Sequence, residues 1–220
     1  EAFSHLLDWA LRLSFLVGTP ATVALVVLAG PMLATMFHHG AFSATDVAQS
    51  ALALVAFAAG LLGFILIKVL APGFYARQDT QTPVRIGMIS MGANIVLSLL
   101  LVSYLKHVGL ALAISLAAFV NSGLLYRTLR RHNIYRPEPG WAGFLLRVTV
   151  ASLAMGGVLW WGAGDLTEWF AMATRERILR LSFYILIGMA VYVVGLLALG
   201  VRPRQLLLKK ATGGASAHDE

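Results

Sequence analysis

The sequence predicts an all-α fold, a polytopic transmembrane helical bundle with about six spans. Hydrophobic residues make up 59% of the 220-residue chain and charged residues 12%, about half the charged share of soluble domains. An α-helix needs about 20 apolar residues to cross a hydrocarbon core ~30 Å thick. Six stretches lack Asp, Glu, Lys and Arg, and the first is longer than one span needs: 13–45, 47–67, 86–105, 107–126, 148–164 and 181–201.

The N-terminal region is predicted to hold a lead-in and one span. Residues 1–11 place apolar side chains at helical spacing among polar ones, which indicates an amphipathic lead-in at the membrane surface. The first span then kinks at Pro20 and ends at Gly30-Pro31, because proline interrupts a helix and the pair marks a turn. We expect residues 32–37 to form a short interfacial segment. Since residue 1 is Glu within a helical pattern, we also expect more protein upstream.

Cap and turn residues separate the later spans. Ser43 followed by Asp46 is a capping-box pattern, so the second helix should begin near 44 and stop at Pro72-Gly73. Thr82-Pro83 is the pair expected for an N-cap and a first helical residue. A tight turn at 106–109 divides the third span from the fourth. The predicted spans are 12–30, 46–70, 83–105, 108–128, 141–162 and 178–200.

Basic residues set the orientation. Thirteen of the 17 Lys and Arg residues fall on the side that carries both ends of the chain. Because cytoplasmic loops of membrane proteins are enriched in Lys and Arg, both ends should face the cytoplasm. An even number of spans also places both ends of the chain on the same side of the membrane. The polar segment 201–220 is then predicted to be a disordered cytoplasmic tail.

Polar groups inside the predicted spans are few. Asp, Glu, Lys and Arg, the residues that mark proton relays and charged-substrate sites in membranes, are absent from their interiors. Asn94 and Ser98 share one helix face, and Asn121 lies in the next span. These three side chains either hydrogen-bond between helices or line a cavity or cation site.

Several functional classes lack their motifs. The chain has no cysteine, so disulfides and Cys-based metal sites are excluded. His38 and His39 lie near Asp46, but no further ligand is spaced to complete a metal shell. GxSxG, HExxH and phosphate-binding glycine loops are absent as well. We therefore predict no metal, no catalytic residue and no cofactor. The net charge of +7 sits at helix ends, which argues against a nucleic-acid partner.

The segment 68–85 is the most distinctive loop in the chain. It combines a Pro-Gly stop, two aromatic residues, balanced charges and a Thr-Pro restart. We single out ten of its residues as candidates for function: Lys68, Pro72, Gly73, Phe74, Tyr75, Arg77, Asp79, Thr82, Pro83 and Arg85.

The loop KVLAPGFYARQDTQTPVRI at 68–86 resembles the signature loop of the MurJ (MviN) family of lipid II flippases, in the multidrug/oligosaccharidyl-lipid/polysaccharide (MOP) exporter superfamily. The resemblance continues in LLDWALRLSFL (6–16), KHVGLALAISLAA (106–118) and LLYRTLRRHNIYRPEPGWAGFLLR (124–147). It covers roughly 6–200. Of these segments, the 68–86 loop and 134–147 are specific.

This resemblance implies the C-terminal portion of a two-lobed flippase in the bacterial inner membrane, without enzymatic activity. The six helices would be the ninth to fourteenth, and the arginines that hold the substrate headgroup would lie in the N-terminal lobe. Implied partners are lipid II, membrane lipids and that lobe. Some relatives carry Asp where this chain has Ser98, four residues after Asn94, so a cation site here is not implied. The last two helices would form a groove for the polyprenyl tail, with candidates Trp141, Phe144, Leu145, Phe183 and Leu186.

Three alternatives stay open at this stage. Within transport, a related MOP exporter could move another lipid-linked oligosaccharide or drugs. A membrane enzyme would need carboxylates or histidine at one interface, and the cytoplasmic candidates are Asp8, Asp79, Glu138 and His132. A scaffold for cell-wall assembly is the third reading.

Overall fold

A computed structural model describes residues 2–37 and 43–201, and helix is the only regular structure within them. Five helical stretches of this part are long and apolar enough to cross a membrane. One of them is long enough for two spans, so the predicted all-α bundle of about six spans is confirmed. The helices are α1 (Ala2–Phe37), α2 (Ala44–Ala58), α3 (Leu61–Leu70), α4 (Pro72–Tyr75), α5 (Gln81–Arg131), α6 (Trp141–Ala163), α7 (Leu166–Ala171) and α8 (Thr174–Ala198). The tail predicted for 201–220 lies outside the described residues, apart from Val201, and so do His38 and His39.

Helix α5 is two helices joined by an elbow. Lys106 has φ 53° and ψ −130°, which interrupts the helix where the tight turn was predicted. The elbow folds the first arm (81–105) back on the second arm (107–131). Ser90 of the first arm donates a hydrogen bond of 2.7 Å to the carbonyl of Ala117 in the second. Each arm is long enough to cross a bilayer.

Helix α1 runs through both of its prolines, so the predicted break at Gly30-Pro31 and the separate segment 32–37 are wrong. The helix also begins at Ala2, so the predicted lead-in 1–11 is continuous with it. A proline in a membrane helix is tolerated when neighbouring groups satisfy the backbone that it leaves free. Pro20 has no N–H for the Leu16 carbonyl, and the Tyr192 hydroxyl donates to that carbonyl at 2.6 Å instead.

The second predicted helix is interrupted, which the sequence did not indicate. Gly60 turns its N–H to the carbonyl of Phe57, and α2 ends two residues earlier. The Ala56 carbonyl accepts a hydrogen bond of 2.6 Å from the Ser115 hydroxyl of α5. A Cβ atom at Gly60 would lie 2.5 Å from the Cα of Ser115, so only glycine permits this approach.

The predicted starts of two helices have different outcomes. Ser43 and Asp46 form the capping box, and α2 begins at Ala44 as expected. Thr82 is not an N-cap, because α5 already begins at Gln81 and the Thr82 N–H donates to Asp79 at 3.0 Å. The stop at Pro72-Gly73 is also replaced by the one-turn helix α4, which Pro72 opens.

Helix α1 lies at the centre of the bundle. It packs against α2 and α3 on one side and against α6, α7 and α8 on the other. The beginning of α1, α4, the start and end of α5 and the start of α6 meet at one end of the bundle, which we call the basic end. The opposite end contains α7, where Trp169 is fully buried and donates to the Ala163 carbonyl at 2.8 Å. There Arg177 ties α8 to α1 through the Ala34 carbonyl, at 3.1 Å.

Candidate lipid-binding site

An apolar groove of about 490 Å³ opens between α1, α6 and α8, and we call it the α1/α8 groove. Its walls contain Pro20 of α1, Leu159 of α6 and Val193 of α8. Its lining includes one tyrosine, Tyr192, whose hydroxyl donates a hydrogen bond to the carbonyl of Leu16. The groove therefore presents hydrocarbon and aromatic surface, which suits a lipid chain and offers nothing to a charged headgroup.

Small residues on α6 and α8 bring the three helices close enough to form this groove. A Cβ atom at Gly156 would come within 2.6 Å of Val23 on α1. A Cβ atom at Gly188 would come within 3.1 Å of Leu159 on α6. Close backbone approach at small residues is the usual way in which helices associate in lipid.

A second apolar pocket, of about 410 Å³, lies on the opposite face of α1. We call it the Tyr126 pocket. It is enclosed by α1, α3, the second arm of α5 and the start of α6. Its lining includes Phe15, Leu66, Phe119, Gly123, Tyr126, Tyr135, Trp141 and Leu145.

The five residues predicted for the tail groove are divided among these features. Trp141 and Leu145 line the Tyr126 pocket. Phe144 packs against the apolar cluster between α1, α6 and α8. Phe183 and Leu186 are exposed on α8. None of the five is among the residues that line the α1/α8 groove in the described part of the chain.

At the basic end, a buried carboxylate joins α1 to the α5–α6 connection. Asp8 is 1% exposed. Its Oδ1 accepts hydrogen bonds from the Tyr135 hydroxyl at 2.7 Å, from Trp141 Nε1 at 2.8 Å and from the Glu138 N–H at 3.2 Å. Its Oδ2 accepts from Arg12 Nε at 2.8 Å. Burial, followed by the hydrogen bond to Asp8, raises the pKa of Tyr135 well above its usual range.

We call Asp8 and its partners Arg12, Tyr135, Glu138 and Trp141 the Asp8 junction. Further contacts stabilise it. Arg12 lies over the Trp141 ring, 5.4 Å from its centroid, and pairs with Glu138 at 3.7 Å. His5 also contacts the Glu138 carboxylate. These polar groups satisfy one another, so the junction is a structural connection between α1 and the segment that leads into α6.

The signature loop divides into buried and exposed residues. Gly73 and Phe74 are buried against the second arm of α5, and Thr82 and Pro83 are half-buried in its first arm. Asp79 caps the start of α5, and hydrogen bonds from Thr82 lower the pKa of that carboxyl. The remaining candidates are exposed, at Lys68, Pro72, Tyr75, Arg77 and Arg85.

The predicted intramembrane polar residues do not converge on one site. The Ser98 hydroxyl donates to Asn94 Oδ1 at 3.5 Å within the same helix. Asn121 is half-buried in the other arm of α5. The described residues contain no group of His, Asp and Glu that could hold a metal ion.

Sequence reasoning missed the hydrogen bonds that join helices. Tyr192 pairs with a residue 176 positions away and Ser115 with one 59 positions away, so no local pattern shows them. One signal was available. Pro20 leaves a known carbonyl free, which predicts a donor on a neighbouring helix.

A bundle of membrane-length helices with apolar cavities defines a polytopic membrane protein that contacts lipid chains. A comparison with protein-family models matches residues 1–180 to the family described as "Lipid II flippase MurJ". The chain belongs to this family.

Individual relatives agree. The chain is 43% identical over 206 residues to "Probable lipid II flippase MurJ" of Vibrio cholerae, covering 94% of this chain and 39% of the relative. It is 42% identical over 207 residues to the protein of that name from Haemophilus influenzae, covering 94% and 40%. The chain thus spans about two fifths of the length of these relatives.

A solved structure shares the fold. "Lipid II flippase MurJ, inward closed conformation" superposes with a TM-score of 0.72 at 23% identity, covering 88% of this chain and 38% of that one.

Proposed function

We propose that this chain is the C-terminal part of a lipid II flippase, which moves an undecaprenyl-pyrophosphate-linked precursor to the outer leaflet of the bacterial inner membrane. The family match over residues 1–180 carries this proposal. The chain spans 39% of the V. cholerae relative, and we assign the headgroup site to the rest of such a protein. The scarcity of charge inside these helices is consistent with that division.

The role proposed for this part is to hold the polyprenyl tail in the α1/α8 groove while the headgroup crosses elsewhere. The groove is apolar and lies within membrane-length helices, so a tail can stay in it without exposure to water. Alternating access, in which one lobe rocks against the other, is common among transporters with two lobes. The exposed first arm of α5 would then face the other lobe or lipid. The step forms no covalent bond and needs no catalytic residue.

A chimera tests the function. This chain replaces the matching region of the V. cholerae relative, and the chimera is expressed in cells depleted of their own flippase. We expect growth to be restored and peptidoglycan precursors to stay at normal levels. Accumulation of precursors while the chimera is present in the membrane would contradict the proposal. Accumulation of a different lipid-linked oligosaccharide would instead favour the related exporters.

A matched pair of variants tests the groove. Val193 lines the groove and Val194, the next residue of α8, does not. In the chimera, Val193→Trp should fill the groove and lower photo-crosslinking of a polyprenyl-linked precursor, whereas Val194→Trp should leave it unchanged. Equal effects of the two variants would show that the tail lies elsewhere.

A further inference from the structure

The Tyr126 pocket is apolar inside and aromatic at the basic end. Its volume of about 410 Å³ lies within the ~300–1,000 Å³ range of small-molecule sites. Phe15, Leu66 and Phe119 supply wall from three different helices. The site is separate from the α1/α8 groove, because Leu11 and Phe15 lie on the face of α1 opposite to Leu16 and Pro20.

The aromatic end of the pocket is held in place by the Asp8 junction. Tyr135 and Trp141 both line the pocket, and both direct their polar hydrogens to Asp8 Oδ1. The two side chains therefore offer ring surface to the pocket while their polar atoms are satisfied outside it. Tyr and Trp at the end of membrane-length helices lie at the level of lipid headgroups.

A cation lies next to one of the aromatic rings that line the pocket. The guanidinium of Arg130 lies over the ring of Tyr126, 5.9 Å from its centroid, and Arg130 is exposed. Among the described residues no carboxylate lies within ion-pair distance of Arg130, whereas Arg12 on the other side is paired with Asp8 and Glu138. Positive charge that can attract an anion therefore lies beside the lining residue Tyr126.

We propose that the Tyr126 pocket binds a membrane phospholipid with an anionic headgroup, one acyl chain filling the pocket and the phosphodiester pairing with Arg130. An apolar pocket in membrane-length helices suits a hydrocarbon chain, and the cation beside Tyr126 favours an anionic headgroup by charge. The geometry offers a glycine for the test. A Cβ atom at Gly123 would meet no heavy atom of the described chain within 4 Å, so a larger side chain there enters open space.

Two pairs of variants of the full 220-residue chain, purified in detergent, test the apolar pocket and the Arg130 cation separately. Gly123→Leu fills the pocket, and Gly157→Leu makes the same change at an exposed α6 glycine with equally open surroundings. Arg130→Gln removes the cation over Tyr126, and Arg127→Gln removes an exposed arginine for which no contact with that ring is found.

The probe is phosphatidylglycerol with a photoreactive group in one acyl chain, and phosphatidylcholine with the same chain serves as the neutral comparison. We expect phosphatidylglycerol to label the segment 119–126, and Gly123→Leu to reduce that labelling to background while Gly157→Leu does not. Arg130→Gln should weaken phosphatidylglycerol binding about fivefold and leave phosphatidylcholine unchanged.

Three results would overturn the proposal. One is equal labelling in the two leucine variants. Another is equal binding of the two lipids with no effect of Arg130→Gln. The third is displacement of the probe by undecaprenyl phosphate, which would make the pocket a site for the substrate tail. Since the proposed function concerns the α1/α8 groove, its chimera test can fail or succeed independently.

Discussion

At the scale of single residues, the Asp8 junction shows how a charge is kept inside this bundle. Both carboxylate oxygens of Asp8 are occupied by donors, and three of the four donors come from the α5–α6 connection and the first residue of α6, 127 to 133 residues away. A buried carboxylate without such partners would be strongly unfavourable. The sequence showed Asp8 and Arg12 one helical turn apart, but it could not show Tyr135 and Trp141, because those contacts depend on the fold.

Asp8→Asn should destabilise the chain. The amide removes the charge, and its N–H groups then face a donor from Arg12, Tyr135 or Trp141. We expect the free energy of unfolding to fall by about 3 kcal/mol. The thermal unfolding midpoint in detergent should fall by several degrees. Asp165→Asn, at an exposed position, is the control and should have little effect. An unchanged midpoint for Asp8→Asn would show that the junction contributes nothing to stability.

Because of Tyr135, the stability of the folded chain should vary with pH in the alkaline range. Its pKa in the folded protein is raised by burial and by Asp8, so the folded state keeps the phenol neutral while the unfolded state ionises near pH 10. The stabilisation from Tyr135 is therefore complete below about pH 10 and declines above it. Unfolding midpoints measured from pH 8 to strongly alkaline pH should converge for the native chain and Tyr135→Phe. A constant difference would contradict this assignment.

At the scale of elements, helices that lose a backbone hydrogen bond gain one from a neighbour. The Leu16 carbonyl of α1 receives Tyr192, and the Ala56 carbonyl of α2 receives Ser115. Both donors lie on helices that pack against the interrupted one. Prediction from sequence succeeded for helix existence, for the Ser43 cap and for the turn at Lys106, since these depend on local residues. It failed for the continuity of α1 and the break at Gly60, which depend on these distant donors.

A double-mutant cycle tests the first pair. Tyr192→Phe removes the donor to Leu16 and should cost about 1 kcal/mol of stability. Pro20→Ala supplies an N–H that can bond to the same carbonyl, so Tyr192→Phe should cost less in that background. Thermal unfolding of the four chains gives the coupling. Strict additivity would mean that the hydroxyl does not compensate for Pro20.

The Gly60 contact gives a second element-scale prediction. Gly60→Ala places a Cβ atom 2.5 Å from Ser115 Cα, so α3 and α5 must separate at a cost of about 1–3 kcal/mol. Gly87→Ala is the matched control, because its Cβ would meet nothing within 4 Å. The unfolding midpoint should fall for the first variant and not for the second. Equal midpoints would mean that the two helices are not in contact here.

At the scale of the whole molecule, basic residues are concentrated at one end of the bundle. The basic end collects the loops that carry most of the described Lys and Arg residues, and the predicted topology assigns this end to the cytoplasm. That basic residues gather in the loops at one end of the bundle could be predicted from the sequence alone. The two cavities could not, because each is built from three or more helices.

Single cysteines can report this orientation, because the chain has none of its own. With the chain expressed in bacterial cells, Arg131→Cys should be protected from a membrane-impermeant maleimide, and Ala173→Cys at the opposite end should be labelled. Both positions are exposed. Labelling in the reverse order would invert the proposed topology.

The 36 residues of α1 make a rod of about 54 Å, against a hydrocarbon layer of ~30 Å. The surplus has to project into the headgroup layers or be absorbed by tilting. Since α1 touches α2, α3, α6, α7 and α8, any change in its tilt would alter its packing on both sides of the bundle. Because α1 lines both cavities, a few degrees of tilt would widen one as it narrowed the other, so lipid chains bound at the two proposed sites would be mechanically coupled.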